Sequence, residues 1–192
     1  EISGLGFDGY EKQTIFSDIN ASIAPGELIG IKGADGSGRS VLLRCVMGTN
    51  TPTRGQVLIN GAPPKASGAA ISYVGQVPQL FQGSILDNLT LFGTYTAEDA
   101  RWVAELVGLD GEINRLPSGY DTQLLGSSNP ELSAAFSQLI CIARAVISKP
   151  AVLLLDSSNS GLDAKTETSF AEMLERLSGK TTILMAIQRP SL

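Results

Sequence analysis

The chain of 192 residues has the length of one domain, or of one domain carrying an inserted lobe. Its 43% apolar and 17% charged residues, against about a quarter charged in a typical globular protein, permit a large core and exclude intrinsic disorder. Fourteen basic against nineteen acidic residues give a net charge of −5, which argues against a nucleic-acid partner, while the lack of histidine, with only Cys45 and Cys141, excludes a histidine-based triad and a structural zinc site.

Taken in order, the opening residues read as strands. Ile19, Ala21 and Ile23 alternate with polar neighbours, and Pro25-Gly26 supplies a turn. Leu28 to Ile31 is a short apolar run suited to a buried central strand. A glycine-rich stretch, Gly33 to Ser40, follows at once, and Val41 to Met47 then has helical character up to Gly48. Gln56 to Asn60 and Ile71 to Val74 read as further strands. Ser84 with Asp87, and Thr96 with Asp99, have capping-box spacing, the second opening a helix from Ala97 to Val107 that Gly108 stops.

Leu132, Phe136, Leu139, Ile140, Ala143 and Ile147 keep helical spacing as far as Lys149-Pro150. Both cysteines fall in apolar helical patterns, the setting of buried free thiols in a reducing compartment. Residues 77 to 149 therefore read as a mainly helical lobe inserted into a core of 1–76 and 150–192. Ala151 to Asp156 returns to a buried strand, Ala164 to Leu177 to a helix and Thr181 to Ile187 to a strand. This alternation predicts an α/β fold with a mainly parallel sheet. The longest uncharged apolar runs fall far short of the ~20 residues that span a bilayer. The chain stops just after a strand, so a further C-terminal element is expected, and its abrupt opening at Glu1 suggests excision from a longer polypeptide.

Two patterns carry chemistry. Gly33 to Ser40 fits the phosphate-loop spacing G-x-x-x-x-G-K-[ST], with Arg39 in place of lysine. Gly33, Gly36 and Gly38 let the backbone N–H groups turn inward, and the helix behind them adds the positive end of its dipole. Ser37 lies within this cradle, and Ser40 is placed to ligate Mg²⁺. Asp156, at the end of an apolar strand, fits the position where a carboxylate holds that ion through water. A glycine-rich turn or a strand-end acid alone is ordinary. The pair, with strand and helix in the required order, is far more specific.

Further runs extend the pattern: Tyr73-Val74-Gly75-Gln76, Leu80 to Ile85 with Asn88, Leu116 to Thr122, Ala143-Arg144-Ala145, Leu155-Asp156 and Ser160-Gly161-Leu162-Asp163. In order and spacing the chain resembles the nucleotide-binding domains of ATP-binding cassette transporters, above all the exporter branch that moves peptides, proteins or lipids. The resemblance covers nearly the whole chain. It implies a phosphate-loop NTPase core with an antiparallel β subdomain and an inserted helical subdomain, and ATP with Mg²⁺ as ligands. Expected partners are the transmembrane domain of an exporter and a second cassette, at the cytoplasmic face of a membrane. Position by position, Gln76 resembles the glutamine that reaches Mg²⁺, and Phe7, or failing that Tyr10, the aromatic that stacks on adenine. Ser160 to Asp163 resembles the loop crossing the dimer interface, and Leu132-Ser133-Ala134-Ala135-Phe136 stands at the signature motif.

The departures from the family pattern fall on its chemistry. Arg39 is a longer planar fork than lysine, Val41 lacks the second hydroxyl of the loop, and Asp35 puts a carboxylate beside the phosphates. Ser157 stands where the family has the glutamate that activates water, and Gln188 where it has the histidine that contacts the γ-phosphate. The signature lacks both glycines, and Phe136 replaces its glutamine. Loss of a general base typically costs about 10²–10⁴ in rate and loss of one transition-state donor about 10²–10³. The expectation is a cassette that takes Mg-ATP with little or no hydrolysis, as a regulatory or structural half of a transport complex. A working transport ATPase and a scaffold that binds no nucleotide are the alternatives.

Overall fold

The computed structural model describes residues 1–126, 132–157 and 164–187. Contacts divide them into two compact units, one made of 1–73, 151–157 and the described residues from 178, the other of the described residues in 74–150 and 158–177.

In the first unit, β1 (Ile2–Asp8) and β2 (Thr14–Ala21) form an antiparallel pair. Then follow β3 (Leu28–Ile31), α1 (Arg39–Met47), β4 (Arg54–Val57) and β5 (Ile71–Val74). The antiparallel sheet runs β2-β1-β4. Its pairing is interrupted by register shifts, with Gly4 and Asp18 both at φ 55. The second sheet is built from apolar strands separated by long stretches of chain. Its later members are β8 (Val152–Asp156) and β9 (Thr182–Ala186), in the order β3-β9-β8-β5, with β3/β9 and β8/β9 parallel. Every residue of β8 is buried, as its unbroken apolar run requires.

One face of α1 turns Leu42, Leu43, Cys45 and Val46 onto Leu154, Leu184 and Ala186, with Ile2, Leu5 and Val57 of the antiparallel sheet closing the same core. Full burial of a side chain such as Leu43 or Leu154 contributes roughly 1.5–3 kcal/mol over leaving it exposed. Both cysteines are free and buried.

In the second unit, β6 (Gln82–Ser84) pairs with β7 (Gln123–Leu125). The helices are α2 (Ile85–Thr90), α3 (Ala97–Leu106), α4 (Asp110–Ile113), α5 (Ala134–Val146) and α6 (Ala164–Leu177). Both capping boxes form. Ser84 Oγ accepts the Asp87 N–H at 2.9 Å while Asp87 accepts the Ser84 N–H at 2.8 Å, and Thr96 and Asp99 repeat the exchange. These hydrogen bonds to the charged form hold both carboxyls below the usual carboxylate range. Gly108, at φ 78, stops α3, and a side chain there would run into Ser169 of α6. Among the described residues no helix is long and apolar enough to cross a membrane.

The α/β architecture, with its parallel sheet, antiparallel β subdomain and helical lobe, is the one expected. Three details differ. Among the described residues the strand Leu28–Ile31 lies at the edge of its sheet, not at the centre, with β9 as its one paired strand, and Leu28 remains 43% exposed. The strand expected to run to Asn60 ends at Val57, since Asn60 and Gly61, at φ 52 and 78, turn the chain so that Ile59 meets only Ala62. The helical lobe also contains the β6/β7 pair.

Candidate functional site

The site of the first unit grows from the end of β3. Gly36 and Gly38 have φ 79 and 87, in the left-handed region that glycine enters without strain, and the Ser37 N–H closes the turn on the Ala34 carbonyl at 3.1 Å. Two of the glycines are also required by contact. A side chain at Gly33 would strike Ser37 Oγ, and one at Gly38 would strike Ile15 and Phe16 of β2. Gly38 is the N-cap of α1 and has no side chain to cap it, so the first-turn N–H groups, which lack intrahelical acceptors, are left for an anion.

Asp156 ends β8 in full burial, 3% exposed. Its Oδ1 accepts the Ser40 hydroxyl at 3.0 Å, and its Oδ2 accepts the Tyr73 hydroxyl of the neighbouring β5 at 2.6 Å. Burial first, then the hydrogen bond and charge of Asp156, push the Tyr73 phenol up to about 12, with Arg44 pulling the other way. Tyr73 thus stays protonated at neutral pH and fixes one carboxylate oxygen, while Ser40 is held against the other.

Arg39 is already engaged. Its Nη1 donates to the Ile187 carbonyl, just beyond β9, at 2.6 Å, and its Nη2 pairs with Asp35 Oδ1 at 3.0 Å. Val41 is half-buried against the core, so the apolar residue at this position packs inward. Ser157, buried and at φ 52, directly follows Asp156.

These residues fit the expected ligands in part. Ser37 Oγ is buried without a hydrogen-bond partner, an orphan polar group within a glycine cradle that side chains would fill. Ser40 and Asp156 bring a hydroxyl and a carboxylate together, oxygen donors of the kind Mg²⁺ takes. Against this stands Asp35, an anion next to the cradle. Of the two aromatic candidates, Phe7 packs in a tilted contact on Phe16, with ring centroids 6.3 Å apart, whereas Tyr10 is 90% exposed in the turn between β1 and β2.

In the second unit, Gln76 is exposed in the loop after β5. Signature-position Ser133 is the N-cap of α5, accepting the Phe136 N–H at 3.0 Å, and Phe136 buries its ring. Leu132 and Ala135 are half-buried, and Ser133 and Ala134 exposed. Ser160, Gly161, Leu162, Asp163 and Gln188 lie outside the described residues.

Three participants were not singled out from the sequence as site residues. Tyr73 belonged to a recognised motif, but its bond to Asp156 spans 83 residues. On α5, Gln138, 3% exposed, donates to the Gly75 carbonyl at 3.0 Å, and Arg144 donates to the Gln79 carbonyl at 2.7 Å while lying 4.4 Å from the Phe81 ring centroid. A glutamine, one turn of helix ahead of Cys141 on an apolar face, was the visible signal. The loop that carries Gln76 is therefore pinned to α5 on both sides.

Comparison with known proteins adds four findings. The family profile described as "ABC transporter" matches residues 16–160. The colicin V secretion/processing ATP-binding protein of Escherichia coli is 36% identical over 177 residues, 87% of this chain and 25% of the relative. The mycobactin import ATP-binding/permease protein of Mycolicibacterium smegmatis is 35% identical over 186 residues, 93% of this chain and 32% of the relative. Among solved structures, a bacterial Atm1-family ABC exporter with ATP bound superimposes with a TM-score of 0.85 at 28% identity, covering 97% of this chain and 34% of that one. The chain thus spans between a quarter and about a third of the length of these proteins.

Proposed function

The chain belongs to the ABC transporter family, and from that premise we propose that it is a nucleotide-binding domain of an exporter-type transporter that takes Mg-ATP with little or no turnover. The observation that carries this reading is the junction of intact cradle and altered chemistry. The Gly33–Ser40 loop is wound ahead of α1 and Asp156 is held by Ser40 and Tyr73, while the next residue is Ser157.

On this reading the backbone of Gly33 to Ser40 holds phosphate oxygens, with Ser37 Oγ as a further donor. Ser40 and Asp156 hold Mg²⁺ through oxygen. Tyr10 is favoured over Phe7 for stacking on adenine, because its ring is exposed while that of Phe7 is packed. ATP, when bound, supplies the phosphoanhydride bond. The chain's own residues would then have to take a proton from water, and Ser157 is a neutral hydroxyl with no basicity at pH 7. That loss alone is worth about 10²–10⁴ in rate. The domain would then serve as a regulatory or structural half of a transport complex, paired with a second cassette and a transmembrane domain.

Isothermal titration with Mg-ATP tests the first half of the reading. Saturable binding without continuing heat of hydrolysis is expected. No binding at millimolar ATP would replace the reading by the scaffold alternative, which the engagement of Arg39 with Asp35 and Ile187 favours. Sustained heat would favour a working ATPase.

A further inference from the structure

The loop that should receive phosphate already contains an anion. We infer that Asp35 is the affinity-determining residue of this site: its carboxylate holds the Arg39 guanidinium that an incoming phosphate would need, so the loop competes with its own ligand. The inference rests on the nucleotide-binding reading above and specifies how binding there is set.

Arg39 is the loop's buried cation, with a side chain only 10% exposed. A buried guanidinium without acceptors is costly, so it must be satisfied when no ligand is present. The structure shows how. One terminal nitrogen donates to the Ile187 carbonyl at 2.6 Å and the other to Asp35 at 3.0 Å, which engages two of the five N–H groups of the guanidinium. The backbone acceptor belongs to a residue whose own N–H donates to the Ile31 carbonyl of β3 at 3.0 Å. The carboxylate can leave, for Asp35 is 91% exposed, and Gly36 beside it, at φ 79, has nothing within 4 Å of where a side chain would stand. Asp35 is thus a displaceable partner whose side chain lies in solvent. Phosphate must compete with it for Arg39 and lie near its charge.

The magnitude is bounded by exposure. An ion pair with one partner in water contributes little. Adding the repulsion between a carboxylate and a phosphate across a few ångströms of solvent-rich space, the handicap on affinity is on the order of threefold to tenfold. Being electrostatic and exposed, it must fade as salt rises.

The test is titration calorimetry of the purified chain with Mg-ATP and, separately, with Mg-pyrophosphate, at low and high salt. It compares the unaltered chain with Asp35→Asn and with Glu98→Gln, which removes an exposed charge on α3, outside the site. Tighter binding of both ligands by Asp35→Asn, by about threefold to tenfold at low salt and less at high salt, with Glu98→Gln unchanged, is the expected result. Equal or weaker binding by Asp35→Asn overturns the inference and leaves the nucleotide-binding reading standing. Equal tightening by both variants also overturns it, since net charge would then be the cause. If no variant binds either ligand, the nucleotide-binding reading itself falls, and this inference with it.

Discussion

Replacing Tyr73 by phenylalanine removes one oxygen and leaves the rest of the side chain in place. The ring packs against the first unit's core, so Tyr73→Phe opens no cavity there. What disappears is the 2.6 Å hydrogen bond to Asp156 Oδ2, leaving a carboxylate that is 3% exposed with the Ser40 hydroxyl as its remaining side-chain donor. A hydrogen bond to a charged group contributes about 1.5–3 kcal/mol. Because the phenol is only half-buried, water can partly replace it, so the expected loss is roughly 1–2 kcal/mol. Urea unfolding should show a lower midpoint at unchanged slope. A double-mutant cycle with Asp156→Asn should return a coupling on the order of 1 kcal/mol. The raised phenol also makes a prediction about pH. The unfolded chain loses the Tyr73 proton near the ordinary value of 10.0 and the folded chain near 12. This contribution to stability is therefore complete below pH 10 and lost as pH climbs towards 12. The phenylalanine variant should lack that part of the alkaline decline. A cost below about 0.3 kcal/mol, or no coupling in the cycle, would refute the reasoning.

Two further predictions concern backbone and caps. Gly38→Ala should destabilise by about 2–4 kcal/mol, since a left-handed φ is joined by collision with Ile15 and Phe16, whereas Gly36→Ala, with open space around it, should cost only about 1 kcal/mol; equal costs in urea titrations would contradict the assigned contacts. Ser84→Ala should cost about 1 kcal/mol near neutral pH. Because Asp87 is held below its ordinary 3.8, the carboxylate's share of that cap is present above this value and lost as pH falls through the folded value. The difference between variant and parent should accordingly narrow in acid, and a difference independent of pH would remove the capping carboxylate from the account.

What the sequence made legible was local. The turn, loop and helix of residues 33 to 48 are encoded by glycine spacing over one short stretch, and both capping boxes by residues three apart. The bounds of α6, Ala164–Leu177, were likewise readable from periodicity. What escaped depends on partners far along the chain. An apolar run such as Leu28–Ile31 reads the same at the centre or edge of a sheet, since strand order is a matter of topology. Arg39 could be read as a cation near phosphate, but its bond to the Ile187 carbonyl crosses 148 residues, and a backbone acceptor leaves no mark in composition. The contact of Gln138 with Gly75 crosses 63. In the candidate site the loop glycines, Ser40 and Asp156 were therefore visible as candidates, and the contacts that restrain them were not.

On the proposed reading, the Gly33–Ser40 cradle holds nucleotide beside Ser157, which cannot activate water. Single-turnover phosphate release, with the purified chain in excess over Mg-ATP and read by a phosphate sensor, tests it most directly. Release no faster than from buffer, unchanged by Asp156→Asn, is the expected result. Release well above that level, abolished by Asp156→Asn, would contradict it.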